Sequence, residues 1–264
     1  DLLAETAEMT LTNEQIRERL TMERFPLASK YDPQWIFDNE MGPNALWVTE
    51  CLCEAMDLRR GMRVLDMGCG KALSSVFLAR ELDVQVWAVD LWIKATDNWQ
   101  RIQQAGLEDR VFPIHADARS LPFAEGFFDA IVSLDSYHYF GTDDLYLQYF
   151  VKFLRPGGQV GIFVPGYLDD FGPSVPDHLK GDFHEDWHSF HTADWWRWHW
   201  EKTRLVDVEV AEAVPQGWDI WMKWEETRDA AGGVPPGLGT DAAVLRADGG
   251  RHLGFVRMVA RKPT

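Results

Sequence analysis

The chain predicts an α/β fold, a doubly wound and mostly parallel sheet with helices on both faces. Three features predict it. Short apolar runs, bounded by turns, recur at residues 63–65, 84–89, 111–116, 129–134 and 159–164. Amphipathic segments of helical length lie between most of them. The connections are short, as they are when parallel strands and helices alternate.

The elements read as follows. Residues 1–30 are polar, with a helix from Thr12 or Asn13 to Leu20. Residues 30–44 are aromatic and punctuated by Pro33, Gly42 and Pro43. A helix over 45–56 turns Leu46, Val48, Leu52 and Met56 inward, and 57–62 is a turn. The first strand, at Val64-Leu65, meets Asp66-Met67-Gly68-Cys69-Gly70 and then a helix over 74–82. The second strand, 84–89, ends at Asp90, and a helix covers 93–105. The third, 111–116, ends at Asp117-Ala118. The fourth, 129–134, runs into Asp135-Ser136-Tyr137-His138-Tyr139-Phe140. A helix over 143–154 stops at Arg155-Pro156-Gly157-Gly158, before a fifth strand over 159–164. Residues 165–186 are rich in loops, and Thr192 caps a tryptophan-rich helix over 193–202. A sixth strand follows at 204–213, a helix near 219–229, a Gly/Pro loop at 232–239 and a last strand over 253–260.

At 264 residues one elaborated domain is expected, able to bury its core without staples. The parts are a helical cap (1–60), a ligand-binding core (61–164), a covering insertion (165–204), and the last two strands with a helical insertion (205–264). Lys and Arg number 26 against 42 Asp and Glu, a net charge of −16. Nucleic acid and anionic membranes are therefore disfavoured as partners, since both call for Lys and Arg. Cys51, Cys53 and Cys69 show no disulfide or zinc pattern. No apolar stretch is long enough to span a bilayer. Together these read as a soluble, cytoplasmic setting.

The glycine turn after the first strand lets a ligand approach the backbone and aims the opening amides of a helix at it. An acid at the end of the second strand, here Asp90, is the position that accepts ribose hydroxyls in nucleotide-binding folds; its other use would be to cap the next helix. The turn fits the dinucleotide fingerprint poorly, because the third glycine of GxGxxG would fall at Leu73.

Asp66-Met67-Gly68-Cys69-Gly70 resembles motif I of the class I S-adenosylmethionine-dependent methyltransferases of small-molecule type. The family often has a further glycine where Ala72 stands. The stop at 154–158 and the late strand pair are similar to the same family. The resemblance covers residues 61–164. It implies a Rossmann-like, seven-stranded sheet with a helical N-terminal cap and insertions after strands 5 and 6. It implies S-adenosylmethionine as cofactor. The backbone at Gly68, Cys69 and Gly70 would take its amino-acid portion and Asp66 its ammonium, directly or through water. Asp90 would take the ribose, Leu91 and Trp92 the adenine faces, and Asp117 and Ala118 the adenine edge. Leu134 would face the sulfonium.

The turn after strand four sits at the carboxyl end of the sheet, where open α/β folds bind ligands. His138 is a candidate base for an O, N or C acceptor, with a packed loop residue as the alternative; Tyr137 and Tyr139 would orient the nucleophile. Tyr31, Trp35, Tyr167 and Phe171 are candidate substrate contacts, and acids among aromatics suit an apolar or cationic small molecule. His184, His188 and His191 with Asp182, Glu185 and Asp186 match no ligand spacing, so no metal is expected. The alternatives are a binder of the cofactor that transfers nothing, distinguished by affinity without turnover, and an NAD-dependent dehydrogenase, distinguished by binding NAD.

Overall fold

The computed structural model describes residues 11–183, 185–232 and 241–264. The N-terminal part is helical. Helix α1 (Asn13–Leu20) opens on a capping box in which Thr12 and Gln15 satisfy each other's amides. Helix α2 (Pro33–Asn39) is capped by Asp32, with proline at its first position, where the missing N–H costs nothing. No helix is expected there from the sequence, where the stretch is only aromatic and punctuated by Pro and Gly. Helix α3 (Ala45–Cys53) is capped by Asn44, whose side chain accepts from the amides of Leu46 and Trp47.

The sheet then begins with β1 (Arg63–Met67), followed by α4 (Leu73–Leu82), β2 (Gln85–Asp90), α5 (Ala95–Ala105), β3 (Val111–His115) and β4 (Phe128–Leu134). The helix expected over 143–154 is shorter, α6 (Tyr146–Phe150) with a 3₁₀ turn after it. Strand β5 is longer than expected (Leu154–Tyr167), because β7 pairs with it along Gln159 to Tyr167. Helix α7 (Ala193–Glu201), β6 (Asp207–Ala213), α8 (Gly217–Ala230), α9 (Ala242–Asp248) and β7 (Leu253–Arg261) complete the chain; α9 was not foreseen. The expected loop at 232–239 lies almost wholly outside the described residues. No helix among the described residues is long and apolar enough to cross a membrane.

The order β3-β2-β1-β4-β5-β7-β6 is the doubly wound, seven-stranded sheet that the pattern predicts. Strands β1 to β5 run parallel, and β7 lies antiparallel between β5 and β6. Because β1 is internal, Val64, Leu65 and Asp66 have neighbours on both sides. The crevice that this order creates lies between the carboxyl ends of β1 and β4, where connections leave in opposite directions.

Helix α8 fastens the N-terminal cap. Trp224 is fully buried, stacks on Phe37 at 5.4 Å and donates from its indole to the Gly42 carbonyl at 2.8 Å. Arg228, also buried, bonds Glu40 at 3.1 Å and both oxygens of Glu225 at 3.0–3.1 Å. A buried cation is tolerable only when matched in this way. Residues 40–42 are thereby held over the crevice by an element 180 residues away.

Ala72, where the family favours glycine, takes φ +64° at the start of α4. A left-handed alanine costs about 1 kcal/mol, which glycine partly returns through its own loss of chain entropy. Ala72→Gly should therefore leave the unfolding midpoint unchanged or raise it by a few degrees. A fall of that size would show that the Ala72 methyl packs better than its backbone suffers.

Candidate active site

Two cavities meet at the crevice. The first, about 330 Å³, is lined by the glycine turn, the ends of β2 and β4 and the cap residues Asn39, Met41, Gly42 and Pro43. The second, about 560 Å³, lies beyond it under α8 and the 181–190 segment. They share a wall of Met41, Gly42, Pro43, Asp135 and Tyr139.

The floor of the first cavity is set by close packing. Gly68 has φ +76°, and a Cβ there would overlap the Cβ and Oγ of Ser136. Ser136 is itself fixed, donating to the Met67 carbonyl at 2.9 Å beside Ser133. At Gly70, φ +53°, a Cβ would come within 3.0 Å of the Met41 sulfur. Asp90 clasps the turn: one carboxylate oxygen accepts from the Gly70 amide at 2.8 Å, the other from Trp92 and Ile93 at 2.8 and 2.9 Å. So it does cap the following turn. Of its roughly four acceptor positions about one is left, enough for one hydroxyl.

The backbone amides are distributed differently from expectation. Gly68 and Cys69 donate to the Val89 carbonyl, and Gly70 to Asp90. These three amides shape the floor instead of facing a ligand. The opening turn of α4, with Leu73 and Ser74 in the cavity wall and no side-chain cap, keeps amides to offer an anion. Asp66 is fully buried beneath the turn and does not line the cavity. Its Oδ2 accepts from Ser74 and Ser75 at 2.6 Å, and its Oδ1 has no partner among the described residues. Burial lifts its carboxyl to about 6. An ammonium in the cavity would meet the Ser74 hydroxyl before it met Asp66.

At the far end, Leu91 and Trp92 are exposed on the rim, and Asp117, Ala118 and Leu134 complete the wall. Asp117 accepts from the Arg119 amide at 2.8 Å. The Ala118 amide donates to nothing among the described residues, so a donor stands ready at that edge. A cradle that admits no Cβ, a carboxylate clasping the turn and a spare amide fit S-adenosylmethionine.

The comparisons agree with this geometry. The model of a methyltransferase domain matches residues 64–158. Residues 64–158 carry a class I S-adenosylmethionine-dependent methyltransferase domain. The chain is 35% identical over 132 residues to methyltransferase GfsG of Streptomyces halstedii, 48% of each chain, so it spans about half the length of that relative. The chain resembles in fold a solved Haemonchus contortus phosphoethanolamine N-methyltransferase 2 in complex with S-adenosyl-L-methionine (TM-score 0.69, 20% identity, 94% of this chain and 60% of that one). It also resembles the [4+2]-cyclase SpnF (TM-score 0.64, 18% identity, 97% and 98%). S-adenosylmethionine is the cofactor of this family.

In the methyltransferase domain the 3₁₀ turn at Tyr137–Tyr139 sends its three side chains three ways. Tyr137 is fully buried against Phe140, Tyr146, Phe150, Trp196 and Trp200 and lines neither cavity, so it cannot orient a nucleophile. Tyr139 lines both cavities. His138 is 2% exposed and lines the second cavity, its Nδ1 without a partner among the described residues. Burial lowers its pKa from 6.5 to about 3, which leaves a neutral ring of low basicity.

The aromatic candidates fall elsewhere. Tyr31 is buried between Trp35 and Phe77, its hydroxyl on Glu81, and neither Tyr31 nor Trp35 reaches a cavity. Tyr167 and Phe171 line a third recess of about 300 Å³ near His191 and Trp195, which shares Phe183, Trp187 and Phe190 with the second cavity. Trp187, Phe190 and Trp221 supply the aromatic wall of the second cavity instead. No metal-holding group of His, Cys, Asp and Glu occurs among the described residues, and His184 lies outside them.

Asp135 was missed by the sequence reading. It sits in the shared wall at φ +51°, and its carboxylate makes no hydrogen bond within the described residues. Burial first, then Asp241 and Glu225, raise its pKa to about 8. The acid one residue past strand four was the available signal.

Proposed function

We propose that this domain methylates a small molecule held in the 560 Å³ cavity, with S-adenosylmethionine in the 330 Å³ one. The observation that carries the reading is the shared wall. Two cavities that meet at Met41, Gly42, Pro43, Asp135 and Tyr139 let a donor and an acceptor approach end to end. Such alignment, with water held off, is most of what a protein must add to a displacement. The cofactor supplies a methyl group activated on sulfonium. The Leu73–Ser74 turn would take its carboxylate, Asp90 a ribose hydroxyl, Leu91 and Trp92 the adenine faces, and the Ala118 amide with Asp117 the adenine edge. An aromatic or apolar biosynthetic metabolite fits the Trp187, Phe190 and Trp221 wall.

The test is direct. S-adenosylhomocysteine should bind, NAD should not, and product mass from metabolite extracts should rise by one methylene. Binding without any mass gain would move the domain to the reading that the likeness to a cyclase also allows, cofactor binding without transfer.

His138 orients the acceptor in this reading. A ring that stays neutral down to about pH 3 contributes no acid limb near neutrality. Wild type and His138→Ala should share the same limb above pH 5, with the rate reduced less than about tenfold. The unfolded imidazole takes a proton near 6.5 and the folded one only near 3, so His138 destabilises the fold as pH falls through that window. An acid limb near 6.5 confined to the wild type would make His138 the base.

A further inference from the structure

We infer that the second cavity selects a cationic amine, with Asp135 and His138 facing its N–H groups. This rests on the methyl-transfer reading only for what happens to the amine; the recognition stands on the cavity itself. Four carboxylates besides Glu225 line the wall: Asp135 at the end of β4, Asp182 and Asp186 on the 181–190 segment, and Asp241 before α9. Arg228 is the one Lys or Arg among the described lining residues, and it is held by Glu40 and Glu225. Acids therefore outnumber cations along the described wall, and they ionise against a cation that arrives there.

An acidic lining alone would not identify a ligand. The independent observation is His138, which is 2% exposed and lines the cavity with an Nδ1 that has no partner among the described residues. A buried polar atom without a partner is costly, and a neutral imidazole has a lone pair to accept an N–H. Aromatic faces at Tyr139, Trp187 and Trp221 suit the alkyl groups around an ammonium. A divalent metal is a poorer occupant, because no three His, Cys, Asp or Glu among the described residues converge to hold one.

The position of Asp135 adds a role. It stands where the cavities meet, 2.5 Å from where a Cβ on Gly42 would be. A carboxylate there accepts the ammonium proton onto its own oxygen, leaving a neutral amine whose lone pair faces the first cavity. Its raised pKa, about 8, matches that exchange. Glu225, lifted to about 7 by burial and then by Asp241, against Arg228, extends the same field.

The test uses benzylammonium, a cation with N–H groups to donate, and ethylbenzene, its uncharged isostere. Each is titrated calorimetrically into the full chain with and without S-adenosylhomocysteine. The cation should bind at least about tenfold tighter than the isostere, a typical margin for a desolvated cation among aromatic faces. Asp135→Asn, suited to the left-handed backbone at that site, should lose most of that margin. If that variant fails to fold, Asp186→Asn, on the exposed edge of the cavity, should lose a smaller part of it. Equal binding of the isostere overturns the inference. So does a cation affinity that Asp135→Asn leaves unchanged, or displacement of the cation by stoichiometric Mg²⁺. Cation binding in a protein that does not bind S-adenosylhomocysteine would sink the methyl-transfer reading and leave this one standing.

Discussion

Gly68→Ala is expected to abolish cofactor binding and lower the unfolding midpoint by roughly 5–10 °C, from a loss on the order of 2–4 kcal/mol. Two costs add. The backbone at φ +76° is unfavourable to any residue with a Cβ, by about 1–2 kcal/mol. The added carbon also overlaps Ser136, which cannot retreat while it is bonded to Met67 and Ser133. Gly61 separates the two costs. It has φ +79° with nothing within 4 Å of a built Cβ. Gly61→Ala should cost only the backbone share and leave cofactor affinity alone. Removing the obstacle with Ser136→Gly should restore the packing share to Gly68→Ala. Equal losses at Gly61 and Gly68 would refute the close-packed floor.

Asp90→Ala should weaken S-adenosylmethionine binding by roughly 1.5–3 kcal/mol, the scale of a hydrogen bond to a charged group. It should also destabilise the free protein by about 1–2 kcal/mol, since three amides lose their acceptor. Asp90→Asn divides the roles. It keeps an oxygen for the Trp92 and Ile93 amides but gives up the charge and the second acceptor. Stability should largely return and affinity should not. If affinity also returned, Asp90 would be a cap alone. Calorimetry and thermal unfolding on the same three proteins decide it.

The sheet was legible because its evidence is local. Val64, Val86, Ile131 and Val160 sit in short apolar runs bounded by turns, and period and punctuation identify such strands. Gly68, Gly70, Asp90 and Asp117 were legible for the same reason, since each lies at the carboxyl end of a strand, and all four line the first cavity. Side-chain direction was not. A 3₁₀ turn advances about a third of a revolution per residue, so adjacent Tyr137, His138 and Tyr139 diverge. No composition argument could say which would face a cavity. Tyr31 lies away from both cavities and Tyr167 lines the neighbouring recess, since an aromatic residue near a site in sequence serves the core as readily as the ligand. The Glu40–Arg228 pair, 188 residues apart, exists only through the tertiary fold.

The position of β7 inside the sheet sets an order of events during synthesis. Strand β6 is made first, yet its pairing runs through β7 from Leu253 to Arg261. Until those residues leave the ribosome, the long apolar edge of β5 has no antiparallel neighbour and β6 has nothing to join. An uncovered strand edge invites pairing with another nascent chain. The parallel half can assemble early, but the last strand must be captured before the sheet is safe from its neighbours.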